Sequence, residues 1–392
     1  MPVRQGVSIV GIGMTAMDRR DLAPEDMVRA VVTEALADAG LAAADVGLVV
    51  LANALGGRLC DQGCIRGQAW LRGAGMGTTG VVNVDNSCAG GSSATHLGVM
   101  AALAGQSPVL VVGVEKMWTG DRAATIAGIE DGLPRDDREG LRLELDNDAG
   151  SILMGLNATW VRHQIDERGT TLEEIAAAAS KARTQAARNP LAQFRTPVSV
   201  EEVLASPPVV EPLTRLMCSS FTDGAAAVVL AAGATKGAPR ITASVLRSGD
   251  GEFDYHDRLN ETAEEAYKAA GLGPGDIDLV EIHDATSAEE LYALEALGFF
   301  GAGDAGAATL AGQTGQGGSG VYVNPSGGLV GRGHPLGATG LCQIVELSLH
   351  LRDQAGSRQR DGSARVGLTC NTGGILAGRD AALVAIHVLQ RD

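Results

Sequence analysis

Aromatic residues are scarce: Phe, Trp and Tyr make up 3% of 392 residues. The apolar fraction is still 45%, so Ala, Val, Leu and Gly must fill a large core. Such small side chains suit close packing of helices on a sheet. Positive charge is also short. Against 47 Asp and Glu there are 31 Lys and Arg, a net charge of −16. That balance argues against non-specific nucleic-acid binding and against an anionic membrane surface. A phosphorylated substrate would need a local basic cluster. The longest apolar run, Ala225 to Ala234, falls well short of the ~20 residues of a membrane span. There is no dense cysteine framework. Six cysteines, at 60, 64, 88, 218, 342 and 370, are scattered along the chain, which fits a reducing cytosol better than secretion. Cys60 and Cys64 lack a second pair and a nearby His, so they read as structural and no metal site is expected. Val7 to Met14 lacks the flanks of a signal peptide, and Leu389-Gln390-Arg391-Asp392 is no peroxisomal address. The expectation is a cytoplasmic protein.

What is present is a repeat. The pattern Glu34-Ala35, Ala39-Gly40-Leu41, Asp45-Val46 and Leu48-Val49 returns as Glu265-Ala266, Ala270-Gly271-Leu272, Asp276-Ile277 and Leu279-Val280 at a constant offset of 231. Each copy reads as helix, capping glycine, turn and buried strand. Two copies of one α/β unit are therefore expected, with a site where they meet. Residues 117–220 have another texture, polar with short helical patterns, and read as an insertion that covers something. Within them Glu130 to Asp148 holds eight acids and three arginines and reads as a solvated surface loop. Thr171 and Glu174 form a capping-box pattern that starts a helix ending at Asn189-Pro190. The boundaries read as 1–116 with 221–239 for the first half, 117–220 for the insertion, and 240–392 for the second half. Gly301 to Gly320 reads as a glycine-rich loop.

Chemistry concentrates at strand ends. Val81, Val82 and Val84 read as a buried strand, followed by Asn86-Ser87-Cys88 and then Ala94, Leu97, Met100 and Ala101 at helical spacing. Cys88 thus sits at a strand-to-helix handover, where unpaired N–H groups and the helix dipole favour a thiolate. It is a nucleophile or a small core residue. The second half offers three stretches: His283-Asp284-Ala285-Thr286 after a strand, the glycine-dense Asn324 to Gly337 with His334, and Cys370-Asn371-Thr372-Gly373-Gly374 after a strand. A thiol, two histidines and backbone N–H groups are the parts of acyl transfer. No Gly-x-Ser-x-Gly elbow supports a serine hydrolase. His283, Asp284 and His334 lack the spacing of a metal motif.

Asn86-Ser87-Cys88-Ala89-Gly90-Gly91, His283-Asp284-Ala285-Thr286, Asn324-Pro325-Ser326-Gly327-Gly328 and Gly333-His334-Pro335-Leu336-Gly337 together resemble the thiolase superfamily. More narrowly they resemble the sterol-carrier-protein and lipid-transfer-protein type of thiolase. Asn189 to Arg195, Pro212 to Cys218 and Asp223-Gly224-Ala225 agree, and the likeness runs from Val7 to Leu389. The resemblance implies a duplicated five-layer αβαβα thiolase fold with an inserted loop domain. It implies that Cys88 is acylated, that His334 activates it and helps to bind the thioester oxygen, and that His283 shares that oxyanion hole. The N–H groups of Cys88 and Gly373 would form the other hole. Two departures stand out. Sterol-carrier thiolases carry a second acid/base cysteine where this chain has Ala285, and other thiolases carry it where this chain has Asn371. Cys370, one residue early, is either that second thiol or an inert strand residue.

The expected function is a thiolase-type acyltransferase of lipid metabolism that cleaves or forms 3-ketoacyl-CoA through acyl-Cys88. Its rivals are a retro-aldol lyase on a CoA thioester and a non-enzymatic lipid-binding or scaffold subunit. Coenzyme A enters as a thioester substrate, with no cofactor; Lys181, Arg183, Arg188 and Arg195 are candidates for its phosphates. The resemblance also implies a homodimer or dimer of dimers, and a small OB-fold partner as in some relatives.

Overall fold

A computed structural model describes residues 2–18, 21–145 and 150–391 of the chain. Its strands are β1 (Pro2–Met14), β2 (Leu48–Ala52), β3 (Gly80–Val84), β4 (Val109–Glu115), β5 (Pro208–Val210), β6 (Leu213–Thr214), β7 (Gly224–Ala232), β8 (Arg240–Ser248), β9 (Leu279–Ile282), β10 (Tyr322–Val323), β11 (Val366–Leu376) and β12 (Asp380–Gln390). β5 and β6 pair with each other. The other ten run β10-β9-β11-β12-β8-β1-β7-β4-β2-β3. This is one five-strand order written twice: β3-β2-β4-β7-β1 in the first half and β10-β9-β11-β12-β8 in the second. The halves join where β1 pairs antiparallel with β8.

The repeat is visible in the elements themselves. Helix Pro24–Ala39 and helix Tyr255–Ala270 are offset by 255 − 24 = 231 residues. Both end on a left-handed glycine, Gly40 at φ 65° and Gly271 at φ 71°, because only glycine takes that turn without steric cost. The strands that follow, β2 and β9, keep the same offset.

Strand alternation builds five layers. On one face of the first half, Val49, Leu51, Leu110, Val112 and Val229 pack under Met27, Val28 and Val31 of helix Pro24–Ala39. On the other face, Val50, Val111, Val228 and Leu230 meet two central helices, Gly90–Ala101 and Thr339–Leu351, through Ala94, Val99, Leu341 and Ile344. Beyond the second half, Val280, Ile282, Leu368 and Ile386 pack under Leu259, Ala263 and Ala266 of helix Tyr255–Ala270. Each fully buried Val or Leu contributes roughly 1.5–3 kcal/mol. The central helices touch at glycines. A Cβ on Gly340 would lie 2.1 Å from Ser92 Oγ, and one on Gly91 would lie 3.0 Å from Gly337 O. That close crossing brings their N-terminal turns together, and with them Cys88 and His334.

Several expectations are corrected. β3 is a half-exposed edge strand with Val82 open to solvent, not a buried one, because among the described residues no strand pairs with its outer side. Within the acidic stretch, Arg135–Glu144 is a helix, and Glu130 is buried, accepting from Ile152 N at 3.0 Å and pairing with Arg142 at 2.5 Å. Pairing with those two groups, rather than solvent, offsets the carboxylate's desolvation; residues 146–148 of the stretch lie outside the described residues. The glycine-rich loop contains a helix, Asp304–Leu310. β11 runs on to Leu376, so Cys370 lies within the strand rather than after it, and β8 was not anticipated.

Candidate active site

Cys88 follows β3 in a tight turn. Ala89 N donates to Asn86 O at 3.0 Å and Gly90 N to Ser87 O at 3.1 Å, and Ser87 takes a left-handed φ of 50° that a side chain rarely adopts. The turn delivers the thiol to the start of helix Gly90–Ala101. Its ionisation runs against expectation. Burial pushes the Cys88 thiol up to about 12, outweighing the Ser87 hydroxyl that favours the thiolate. The resting group is therefore a neutral thiol that needs a base at the moment of attack.

His283 leaves the end of β9, with its N–H on Cys370 O at 2.9 Å. His334 is presented by the loop before helix Thr339–Leu351 and is fixed through its N–H to Thr222 Oγ1 at 3.1 Å. The two rings meet edge to face, with centroids 5.1 Å apart and planes at 82°. Ligand-type atoms of Cys88, His283 and His334 lie within 4.8 Å of one another. Both imidazoles are neutral. Burial lowers His283 to about 3, and burial with His283 and Arg332 holds His334 well below its usual value.

The proton positions follow from the hydrogen-bond network. Thr339 Oγ1 gives its hydrogen to Pro335 O at 2.9 Å, so at the 2.8 Å contact with His334 it accepts, and His334 Nδ1 is the donor. Nε2 of His334 is then bare and basic. Asn371 does the reverse. Ser92 donates to its Oδ1 at 3.2 Å, and its Nδ2 donates to His283 Nδ1 at 2.9 Å. His283 must carry its proton on Nε2. One ring is thus a proton acceptor and the other a donor. Thiol and imidazole are also zinc ligands, but an N-bound metal on His283 Nε2 would leave Nδ1–H facing the Asn371 amide hydrogens. The network favours proton chemistry.

A cavity of about 580 Å³ opens onto these groups. Gly373 lines it and presses on the nucleophile turn: a Cβ there would lie 2.4 Å from Asn86 O and 2.6 Å from Ala89 N. Cys370 does not line it. Its side chain is buried in the layer under helix Tyr255–Ala270, where burial raises the thiol to about 12. Strand alternation puts Asn371, not Cys370, beside His283. Of the four basic candidates, Arg183 alone lines the cavity, stacked 4.3 Å over Phe194. Lys181 is tied to buried Glu290 at 2.6 Å, Arg188 bonds Gln316, and Arg195 is exposed and not part of the cavity lining. Arg122 and Arg215 line the cavity and were not anticipated. Asn371, Thr339 and Glu289 were also missed. The Thr three residues after Leu336 and the Asn in the cysteine's place were the available signals.

The thiolase N-terminal domain family matches residues 7–234, and the thiolase C-terminal domain-like family matches 252–386. An acetyl-CoA acetyltransferase of Methanothermobacter thermautotrophicus is 35% identical over 401 residues, covering 98% of this chain and 99% of that protein. Human sterol carrier protein 2 is 32% identical over 94% of this chain and 70% of that protein. The benzoylsuccinyl-CoA thiolase subunit BbsB of Thauera aromatica is 31% identical over 95% and 96%. In fold, the chain matches the Ltp2-ChsH2(DUF35) aldolase at a TM-score of 0.82 and 22% identity, covering 100% of this chain and 99% of that one. It matches human mitochondrial 3-ketoacyl-CoA thiolase in complex with CoA at 0.71 and 17%, with the same coverage. With both halves matched and full-length relatives above 30% identity, the chain belongs to the thiolase family of acyltransferases.

Proposed function

We propose that the protein exchanges acyl groups between CoA thioesters through acyl-Cys88. The observation that carries this reading is the pair of histidines with opposite tautomers beside one neutral thiol. In the cleavage direction Cys88 Sγ adds to the C3 carbonyl of a 3-ketoacyl-CoA while its proton passes to His334 Nε2. The oxyanion is received by the N–H groups of Cys88 and Gly373. The C2–C3 bond then breaks. The thioester oxygen of the departing enolate lies against His283 Nε2–H and the newly protonated His334, and C2 is protonated. The thiol of a second CoA attacks acyl-Cys88 and releases the shortened acyl-CoA.

The walls set the substrate class. Trp160, Phe194, Phe221, Met154 and Ile126 line the cavity, which suits a bulky apolar acyl group. Arg122, Arg183 and Arg215 are the basic groups offered to the CoA phosphates against a net charge of −16. A homodimer is part of the proposal: edge strand β3 with exposed Val82, and Leu97, Met100 and Leu103 nearby in sequence, present apolar surface that a second copy would cover. A second protein subunit is supported by two names, the subunit BbsB and the two-protein aldolase complex. No helix of the described residues is long and apolar enough to cross a membrane.

The test is the requirement for free CoA. A transferase cleaves 3-ketodecanoyl-CoA only when CoA is added, and Cys88→Ala abolishes it. Cleavage of a 3-hydroxyacyl-CoA without added CoA, surviving in Cys88→Ala, would identify a retro-aldol lyase. Binding without either reaction would identify a lipid-binding or scaffold subunit.

A further inference from the structure

The thiolase chemistry proposed above needs a group that moves the proton at the α-carbon, and neither Ala285 nor Asn371 can be it. We propose that Glu289 is that acid/base. It stands in the first turn of helix Ser287–Ala296 and lines the cavity that holds Cys88, His283 and His334. Ala285 lines the same cavity and presents only a methyl group there. The carboxylate is anchored and buried: Oε2 accepts from Ala285 N at 2.8 Å, and the Asn157 side chain also bonds it. Among the described residues no Lys or Arg pairs with it. Burial without a cation pushes its carboxyl up to about 7, so that both protonation states are accessible near neutrality.

The other acid/base candidates of the cavity are otherwise engaged. Cys218 lies across from Thr286, but its Sγ points to Thr214 O at 3.5 Å and burial pushes it up to about 12. Tyr255 OH is bonded to Thr372 Oγ1 at 2.9 Å and is raised well above its usual value. Burial, and after it the Glu289 charge, raises Cys88, Cys218 and Tyr255. Thr286 and Glu289 also have capping-box spacing. A cap alone does not require the carboxylate to face a cavity with a nucleophile in it.

The step balances. In the condensing direction the α C–H bond of an acyl-CoA breaks, its proton forms an O–H bond on Glu289, and its electron pair becomes the enolate. The enolate carbon bonds to the carbonyl of acyl-Cys88 and expels Sγ as a thiolate, and the proton held by Glu289 is returned to Sγ by way of His334 Nε2. In cleavage a protonated Glu289 gives its proton to C2 and is reprotonated by the one that His334 took from Cys88.

This inference rests on acylation of Cys88, so two readouts are taken from each protein. One is wash-out of deuterium from methyl-deuterated acetyl-CoA; the other is acetylation of Cys88 by intact mass. Glu289→Gln keeps an acceptor for Ala285 N–H but cannot take a proton. It is expected to lose wash-out by ~10²-fold or more while Cys88 is still acetylated, no more slowly than in the wild type because the charge that holds the thiol up is gone, and Glu289→Asp should recover part of the wash-out. In the wild type, wash-out should rise with pH through about 7. Glu289→Gln with wild-type wash-out, or with wash-out and acetylation lost together, would overturn the assignment. So would an acetylated wild type that exchanges no deuterium. A wild type that is not acetylated at all refutes the acyl-Cys88 reading itself, and the inference falls with it.

Discussion

A methyl group added at Gly373 should disable the nucleophile. The added carbon would lie 2.4 Å from Asn86 O, 2.6 Å from Ala89 N and 2.8 Å from Ala89 Cβ, where ordinary contact begins at 3.4 Å. One side must therefore move by 3.4 − 2.4 = 1.0 Å. The nucleophile turn cannot yield cheaply, because it is closed by the Ala89 N–Asn86 O and Gly90 N–Ser87 O bonds and by Asn86 Nδ2 on Ser93 Oγ at 2.9 Å. The other side is the inner strand β11, paired to both β9 and β12. A shift of ~1 Å in a reacting group costs about 10²-fold in rate, and overpacking costs about 1–3 kcal/mol of stability. For Gly373→Ala, CoA release in the acylation half-reaction should fall about 100-fold, with a lower denaturation midpoint. Gly140→Ala is the control: no atom approaches a Cβ there, it lies in helix Arg135–Glu144, and alanine should be neutral or stabilising by about 0.5–1 kcal/mol. Acylation by Gly373→Ala within about threefold of wild type would refute the claimed contact between β11 and the Cys88 turn.

Other consequences follow from the same geometry. Thr339→Val keeps the shape of the side chain but removes the acceptor of His334 Nδ1–H; kcat should fall about 10- to 100-fold with KM little changed in steady-state assays. Asn371→Asp replaces an amide hydrogen with a carboxylate facing His283 Nδ1, so the ring proton should move to Nδ1. Nitrogen NMR of the imidazole should show the change, and thiolysis should slow by ~10²-fold. Glu115 and Glu289 are both raised by burial to about 7. Folded protein therefore holds more protons than unfolded protein between the usual carboxylate range and pH 7. Their contribution to stability is full at lower pH and is lost as pH rises through about 7. Buried neutral His283 and His334 contribute the opposite slope, so the test is a difference: Glu115→Gln should make the urea midpoint change with pH in a more positive sense than wild type across this window. Leu97→Glu with Met100→Glu places charge on the exposed apolar surface, and light scattering should find a smaller assembly than wild type.

The duplication was legible because helix, capping glycine and strand recur with their packing constraints intact, as Gly40 and Gly271 show. The meeting of Cys88, His283 and His334 was legible from their places near strand ends, with Cys88 and His334 also beside glycine-rich turns, which His283 is not. Exposure was not legible. The valines of β3 look buried by composition, and only the strand order shows that they lie at an edge. Glu130 sat in an acidic run whose average hid one buried carboxylate. Cys370 and Asn371 are adjacent, and which one reaches the site depends on strand alternation at a point where the strand's end was misplaced. Arg122, Arg215 and Glu289 come from elements far apart in sequence, so their convergence on one cavity is a property of the fold.

The most direct test of the central claim is peptide mass mapping of the full-length protein quenched after mixing with an acyl-CoA. An acyl group on the peptide that contains Cys88, matched by released CoA and absent in Cys88→Ala, is the predicted result. No adduct, or an adduct on another residue that persists in Cys88→Ala, would contradict the account.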